Sequence, residues 1–223
     1  KINKITKVRI FFFIHYLLGR EIKKIFKLKV QFFPAYLVFK KKICNNFECM
    51  RLHQQRLGRV RMLISDIDGV LTDGKIWVTE NGHWTRFFHT LDGVGMKLLM
   101  DAGYEVAIIS GGHSQDVITR MKHLKVSHVY LDAADKMPPF LDLLKKTGLK
   151  EDQVAYIGDE VFDIPILEKV GFAATVPHAV KSVKKAAHYV TKTKGGEGAV
   201  REIIEMILQF GALSKSRTQG KKK

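Results

Sequence analysis

The most constraining feature of this sequence is a regular alternation of short apolar runs and amphipathic segments between residues 59 and 210. Runs such as RMLIS, YEVAIIS and DQVAYIG are typical of strands buried on both faces of a parallel sheet. The segments between them, such as SQDVITRMKHL and MPPFLDLLKKTG, carry apolar residues at helical spacing and are bounded by Ser, Pro or Gly. About five repeats of strand and helix predict an α/β fold with a doubly wound parallel sheet.

A short insertion follows the first strand of this pattern. KIWVT and WTRFFH alternate apolar and polar residues on either side of ENGH. This arrangement is typical of a β-hairpin, with Asn81 and Gly82 in its turn.

The charge of the chain is strongly positive but unevenly distributed. Of 223 residues, 38 are Lys or Arg and 22 are Asp or Glu, which gives a formal net charge of +16. Residues 1–58 contain 14 of the basic and 2 of the acidic residues, and residues 215–223 contain 5 basic ones. Residues 59–214 contain 19 basic and 20 acidic residues. We therefore do not expect the central domain to bind nucleic acid.

Residues 1–58 form a basic, aromatic-rich extension without a helical or strand-like period. Its two longest apolar runs, 10–18 and 30–39, are too short to cross a bilayer, which takes roughly 20 residues. A helix on a membrane surface and a nucleic-acid-binding arm are the less favoured alternatives. We favour a poorly ordered extension or, for residues 1–49, translated upstream sequence, because Met50 lies close to the first strand.

The two cysteines, Cys44 and Cys49, both precede the central domain. No Cys/His set with the spacing of zinc ligands surrounds them, so we interpret them as free thiols of a reducing, cytoplasmic compartment. The basic tail LSKSRTQGKKK is expected to be solvated and disordered. The predicted organisation is therefore an extension (1–58), one domain (59–212) and a tail (213–223).

Polar residues follow several of the predicted strands at the point where each strand ends. The carboxyl ends of parallel strands lie at one edge of the sheet, where ligands of such folds bind. This edge should bring together carboxylates, a hydroxyl, two glycines and an ammonium: Asp66, Asp68, Ser110, Gly111, Gly112, Lys136, Asp159 and Asp163.

This set of side chains has the composition of a phosphoryl-transfer site. Clustered carboxylates repel one another, and a divalent cation removes the repulsion. Hard oxygen ligands favour Mg²⁺, which prefers one or two carboxylates together with water and a phosphate oxygen. The hydroxyl, the glycine amides and the ammonium can bind phosphate. One aspartate can attack phosphorus, and a second one, two residues away, can act as general acid and then as general base.

In this order, the motifs DIDGVLTDG, IISGG, Lys136 and GDEVFD resemble the haloacid-dehalogenase superfamily of phosphatases. DGVLTDG, the hairpin, LDGVGMKLL and GGEGAVREI are similar to a narrower group: 3-deoxy-D-manno-octulosonate 8-phosphate phosphatases, nonulosonate-9-phosphate phosphatases and the phosphatase-like domains of acylneuraminate cytidylyltransferases. The resemblance covers residues 59–210. It implies a Rossmann-like sheet with a hairpin insertion and no large cap domain, and hydrolysis of a small acidic sugar phosphate.

The resemblance also implies roles for the aspartates. Asp66 corresponds to the nucleophile and Asp68 to the general acid/base. Asp66, the backbone carbonyl of Asp68 and Asp159 correspond to the ligands of Mg²⁺, and Asp163 corresponds to a residue that steadies them.

By the same resemblance, Ser110 and Lys136 hold the phosphoryl group. The positions that correspond to contacts with the sugar phosphate are His89, Thr90, Leu91, Asp92, Gly93, Lys97, Gly111, Gly112, Arg120, Lys136 and Arg201. The resemblance implies a homotetramer in which hairpins and C-terminal segments close neighbouring sites.

Three positions depart from the pattern of this group. Gly112 and Lys97 stand where arginine is usual, and Glu197 stands where the usual GGRGA has a cation. The alternative to an enzyme is therefore a non-catalytic or regulatory relative that serves as a tetrameric assembly module in sialic-acid or nonulosonate metabolism.

Overall fold

The structure, a computed structural model, describes residues 50–219, and their side chains up to residue 211. Within these residues the strands are β1 (Met62–Ser65), β2 (Trp77–Val78), β3 (Trp84–Thr85), β4 (Glu105–Ile109), β5 (His128–Tyr130), β6 (Val154–Ile157), β7 (Phe172–Thr175) and β8 (Tyr189–Val190). The helices are α1 (50–57), α2 (Thr90–Asp101), α3 (Gln115–Leu124), α4 (Met137–Thr147), α5 (Ile164–Leu167), α6 (Lys181–Ala186) and α7 (Ala199–Gln219).

Six strands form one parallel sheet in the order β5-β4-β1-β6-β7-β8. The chain starts in the middle at β1, adds β4 and β5 on one side, and then adds β6, β7 and β8 on the other. This is the order of doubly wound folds, and it places the topological switch point at the carboxyl end of β1. The predicted fold class is confirmed.

The core explains why these segments become strands. Every residue of β1, β6 and β7 is buried, so these strands read as continuous apolar runs rather than as alternating ones. The helices bury one face each: α2 packs against α7, with Met96 and Leu99 of α2 and Ile203 and Ile207 of α7 fully buried. Leu57 of α1 also belongs to this core.

The predicted hairpin is present but short. Trp77 pairs with Thr85 and Val78 with Trp84 in an antiparallel register. Gly82 has φ +76°, and its amide donates to the carbonyl of Thr79 (2.9 Å). A positive φ of this kind favours glycine, which explains the position of the turn.

Two helices differ from the sequence-based predictions. Ser114 is the N-cap residue of α3, but its side chain caps no amide, because its hydroxyl accepts a hydrogen bond from Arg86 instead (2.6 Å). The tail is predicted to be disordered from residue 213, whereas α7 continues through Gly211 to Gln219. A Cβ at Gly211 would lie 1.9 Å from the hydroxyl oxygen of Tyr104, so this glycine allows close packing and does not end the helix.

Several predictions concern residues outside the described part of the chain. These are the order of residues 1–49, their contact with membrane or nucleic acid, the state of Cys44 and Cys49, and the last four residues of the tail. In residues 50–219 there is no helix long and apolar enough to cross a bilayer.

Candidate active site

The first strand leads directly into the loop that carries Asp66. The amide of Asp66 donates to the carbonyl of Ile157 on β6 (3.0 Å), and Oδ1 of Asp66 accepts from the amide of Ile67 (2.7 Å). Gly69, with φ +81°, then turns the chain, and a Cβ there would lie 2.1 Å from Oδ2 of Asp159. Only glycine lets the loop backbone approach this carboxylate so closely.

A buried lysine joins two carboxylates at this sheet edge. Nζ of Lys136 lies 2.8 Å from Oδ2 of Asp66 and 2.6 Å from Oδ1 of Asp163, and the three side chains are 5%, 8% and 0% exposed. Burial by itself would lower the pKa of Lys136, but the two carboxylates raise it above its ordinary value. The structure thus holds a charged ammonium beside the predicted nucleophile.

Asp163 accepts four hydrogen bonds and fixes the loop after β6. Its Oδ1 accepts from Lys136 and from the hydroxyl of the fully buried Tyr156, and its Oδ2 accepts from the amides of Asp159 and Glu160 (both 3.0 Å). Because each oxygen already has two donors, this carboxylate is suited to holding the lysine and the loop in place. Sequence reasoning missed Tyr156; the only signal was a hydroxyl-bearing residue inside an otherwise apolar strand.

Asp159 offers an oxygen that lacks a donor. Among the described residues, Oδ1 of Asp159 is buried and has no hydrogen-bond partner. Carboxylate oxygens of Asp66, Asp159 and Asp163 all lie within 4.8 Å of one another. Burial raises the pKa of Asp159 to about 7, and the nearby carboxylates of Asp66 and Asp163 contribute to this shift. Burial also raises the pKa of Asp66 to about 6. A buried, unsatisfied oxygen in such a cluster fits a hard divalent cation.

The loop after β4 brings Ser110 to the same edge. Ser110 is buried, its amide donates to the carbonyl of Tyr130 (2.9 Å) and its carbonyl accepts from the amide of Ala133 (3.0 Å). Its hydroxyl accepts from the amide of Gly112 (3.3 Å), whereas Gly111 is exposed. The neighbouring strand β5 therefore fixes the position of the predicted phosphate-binding hydroxyl.

Asp68 does not join the acidic cluster, because an arginine from the hairpin holds it. Nε and Nη2 of Arg86 donate to Oδ1 and Oδ2 of Asp68, the second bond at 3.1 Å. Nη1 of Arg86 donates to Ser114 (2.6 Å) and to Asp116 (3.4 Å). Sequence reasoning missed Arg86, since a single basic residue at the end of a hairpin strand gives no local sign of its target.

The stretch His89–Leu91 forms the start of α2. Nδ1 of His89 accepts from the amide of Leu91 (3.3 Å) and caps the helix. Thr90 is exposed, and Leu91 is half exposed although apolar. The contact of the histidine side chain is thus a helix cap, and its predicted contact with substrate stays a prediction.

The remaining predicted sugar-binding residues surround the first turns of α2. Oδ1 of the buried Asp92 accepts from the amide of Arg201 at the start of α7 (2.7 Å). A Cβ at Gly93 would lie 2.4 Å from Nη2 of Arg120, so this glycine makes room for the arginine. Lys97 is exposed. The structure brings Arg120 and Arg201 to one end of α2, and their role in binding stays a prediction.

A pair of glycines in the C-terminal segment lies against the loop that follows β1. A Cβ at Gly195 would lie 1.8 Å from the carbonyl oxygen of Gly69, and one at Gly196 would lie 2.5 Å from the amide of Asp73. The amide of Gly196 donates to the carbonyl of Val70 (3.1 Å). Within one subunit, the GGEGA segment therefore supports the loop that carries the predicted nucleophile.

Comparison with known proteins agrees with this geometry. Residues 128–204 match the haloacid dehalogenase-like hydrolase family. The 3-deoxy-D-manno-octulosonate 8-phosphate phosphatase of Haemophilus influenzae is 40% identical over 156 residues, which are 70% of this chain and 87% of that protein.

Two solved structures extend the comparison. The same phosphatase from Moraxella catarrhalis, in complex with magnesium, phosphate and KDO, is 33% identical with a TM-score of 0.70, over 75% of this chain and 97% of that one. The cobalt-bound phosphatase of Haemophilus influenzae is 39% identical with a TM-score of 0.68, over 71% of this chain and 93% of that one. With its doubly wound sheet and its acidic site at the switch point, the chain belongs to the haloacid dehalogenase-like hydrolases.

Proposed function

We propose that this protein is a Mg²⁺-dependent phosphatase that hydrolyses a small acidic sugar phosphate of the 3-deoxy-D-manno-octulosonate 8-phosphate type. The observation that carries the proposal is the contact of Lys136 with Asp66 beside the unsatisfied oxygen of Asp159. A carboxylate nucleophile, a buried ammonium and a cation-binding oxygen at one strand end are the groups that phosphoryl transfer to an aspartate requires.

The proposed reaction has two steps. In the first, a carboxylate oxygen of Asp66 attacks phosphorus, the bond from phosphorus to the sugar oxygen breaks, and protonated Asp68 gives its proton to that oxygen. In the second, Asp68 takes a proton from water, whose oxygen attacks phosphorus. The bond from Asp66 to phosphorus breaks, which releases inorganic phosphate and restores the carboxylate. In both steps, Lys136 offsets the negative charge of the phosphoryl oxygens, and Ser110 orients these oxygens through a hydrogen bond.

The metal ion would be held by Asp66, Asp159 and the backbone carbonyl of Asp68. Bound Mg²⁺ would offset the negative charge shared by the carboxylates and the phosphoryl group. The pKa values of Asp66 and Asp159 are raised because both carboxylates are buried near other carboxylates. A bound cation would offset the repulsion between these charges. The magnesium and cobalt complexes of the two related phosphatases support this assignment.

The substrate class rests on the relatives. The matched Haemophilus influenzae and Moraxella catarrhalis proteins are named for 3-deoxy-D-manno-octulosonate 8-phosphate. Phosphate release from this compound should therefore occur with Mg²⁺ and stop with EDTA. Asp66→Asn should abolish release, while the matched change Asp152→Asn at an exposed ion pair should not. Acid-quenched wild-type protein should carry the mass of one phosphoryl group; no release and no adduct would contradict the proposal.

We also propose that the protein is a homotetramer assembled through its hairpin. Trp84 is 53% and Phe87 73% exposed, and the tilted rings of Trp77 and Phe87 are in contact, with their centroids 4.3 Å apart. The neighbouring face of α2 exposes further apolar side chains: Leu91, Val94 and Leu98. Apolar surface of this extent usually marks an interface. Light scattering should give a tetrameric mass that falls in a Trp84→Glu/Phe87→Glu variant; a monomeric wild type would contradict assembly.

The same exposed face keeps the assembly-module alternative open. A non-catalytic module would form the tetramer and release no phosphate from any sugar phosphate, with or without Mg²⁺. The complete set of Asp66, Asp68, Lys136 and Asp159 favours the enzyme.

A further inference from the structure

Arg86 reaches from the hairpin into the catalytic centre. Its side chain is only 7% exposed, and its guanidinium holds both carboxylate oxygens of Asp68, which is itself 39% exposed. The paired hydrogen bonds to Asp68 are the main reason that the pKa of Arg86 is raised. The general acid/base of the proposed reaction therefore forms an ion pair with Arg86 in this structure.

The ion pair turns Asp68 toward the hairpin, and Asp68 is not part of the acidic cluster of Asp66, Asp159 and Asp163. Asp68 has to present one oxygen to the leaving group and later to water, but both oxygens accept hydrogen bonds from Arg86. A substrate group that competes with Asp68 for Arg86 would release Asp68 for these contacts.

A carboxylate is the chemical group best suited to displace Asp68. The planar guanidinium binds carboxylates through two parallel hydrogen bonds, as it binds Asp68 itself. Gly112 leaves room for one methyl group beside the pair: a Cβ there would be in van der Waals contact with Nη2 of Arg86 (3.4 Å), Oδ2 of Asp68 (3.6 Å) and the hydroxyl oxygen of Ser110 (4.0 Å). The side chain of Asp68 is 39% exposed, so the pair is accessible to a ligand.

Other contacts keep the guanidinium in place when Asp68 leaves. Ser114 accepts from Nη1 at 2.6 Å, and Oδ1 of Asp116 lies 3.4 Å from the same atom. Both residues belong to the start of α3, which is fixed to the fold through its buried Val117. The arginine can therefore exchange its carboxylate partner without leaving the site.

We propose that Arg86 determines specificity for acidic substrates: the substrate carboxylate replaces Asp68 on the guanidinium and so frees Asp68 to act as acid and base. This inference rests on the proposed function and adds a residue that selects the substrate. It predicts that a sugar phosphate with a neutral group in place of the carboxylate is a poorer substrate, although its reacting phosphate ester is identical.

The test compares 3-deoxy-D-manno-octulosonate 8-phosphate with its C1 methyl ester, which has the same skeleton without the charge. Wild type should prefer the acid in kcat/KM by about tenfold or more, the effect of a hydrogen bond to a charged group. In Arg86→Gln the ratio should fall to within about threefold of one, and Arg86→Lys should keep a smaller preference because ammonium is a point charge. Arg59→Gln, at an exposed ion pair with Asp152, is the matched control and should keep the wild-type ratio.

The outcomes separate the two proposals. If wild type hydrolyses neither compound, the proposed function fails and this inference fails with it. If wild type prefers the acid and Arg86→Gln loses rate equally on both compounds, Arg86 only positions Asp68 and the inference alone is overturned. Should Arg86→Gln not fold, as judged by its melting curve, the same comparison is made with Arg86→Lys, where an unchanged ratio would overturn the inference.

Discussion

Nζ of Lys136 lies 2.8 Å from Oδ2 of Asp66. Both side chains are more than nine-tenths buried, and the lysine is anchored from its other side by Asp163 (2.6 Å). A buried ion pair of this kind gains little stability over apolar packing, but removal of one partner leaves an uncompensated charge. The contact therefore fits a role in preparing Asp66, the proposed nucleophile, and it has consequences for both rate and stability.

We expect Lys136→Met to lower kcat for phosphate release by about 10²–10³-fold, because one preorganised cation is lost from the transition state. The variant should also lose about 3 kcal/mol of unfolding free energy at pH 7.5, since Asp66 and Asp163 remain buried without it. Steady-state kinetics and urea denaturation measure the two effects. Lys146→Met, at an exposed ion pair on the same helix, should change neither. Wild-type rates in Lys136→Met would contradict the role of the lysine.

Asp159 makes the metal-free protein sensitive to pH. Its pKa is raised from 3.8 to about 7 by burial and by Asp66 and Asp163. The folded state therefore binds more protons than the unfolded state between these values, and the unfolding free energy should fall as pH rises through that window. In EDTA at pH 8, Asp159→Asn should be more stable than wild type by ~1–3 kcal/mol, with allowance for solvent screening at this partly exposed group.

The effect of Mg²⁺ on the melting temperature tests whether Asp159 is a metal ligand. Mg²⁺ should raise the melting temperature of wild type at pH 8, because ligand binding to the folded state stabilises it, and should leave that of Asp159→Asn unchanged. Asp152→Asn, in an exposed ion pair, serves as the control and should respond to Mg²⁺ like wild type. An equal response of Asp159→Asn and wild type would exclude Asp159 as a ligand.

The sequence was sufficient to predict the sheet and the gathering of Asp66, Lys136 and Asp159. Buried parallel strands have a strong apolar signal, and their carboxyl ends must meet at one edge, so polar residues at those ends are close whatever the detailed packing. The two-residue strands of the hairpin were also found, because Gly82 marks the turn.

The contacts that the sequence could not predict depend on tertiary packing. Arg86 reaches Asp68 only because of where the hairpin lies relative to the loop after β1, and local patterns do not determine that placement. Gly211 lies within α7 although glycine is a poor helix former, and the close approach of Tyr104 is the reason for it. The four donors around Asp163 likewise come from two separate segments of the chain, Lys136 and residues 156–160.

Gly195 should tolerate no side chain. A Cβ there would lie 1.8 Å from the carbonyl oxygen of Gly69, and backbone at such a distance has to move. Gly195→Ala should therefore lower the unfolding free energy by ~1–3 kcal/mol and kcat by about 10²-fold through displacement of the loop that carries Asp66. Gly148→Asn is the control, because this glycine ends α4 with φ +68° in open space, where asparagine is tolerated. Full activity of Gly195→Ala would show that the loop does not depend on this contact.

Glu202 of α7 holds the segment that leads to Gly195. Its carboxylate accepts from the amide of Lys192 (3.0 Å), from the amide and hydroxyl of Thr193 (3.0 and 2.8 Å) and from the hydroxyl of Tyr189 (2.7 Å). Burial alone would raise the pKa of Glu202, but these hydrogen bonds lower it below its ordinary value of 4.5. The unfolded state therefore binds more protons, so this contribution to stability is present above pH 4.5 and is lost as pH falls below it.

Glu202→Gln tests this anchor, because the amide group replaces one accepting oxygen with a donor. At pH 7 the variant should lose about 1 kcal/mol of unfolding free energy, and at pH 3.5 the difference from wild type should shrink, since Glu202 then binds a proton in the unfolded wild-type chain, which favours unfolding. Urea denaturation at the two pH values measures both numbers, with the exposed Glu168→Gln as the control. A loss that stays equal at both pH values would mean that packing, rather than the charged carboxylate, connects α7 to the glycine pair and through it to the loop of Asp66.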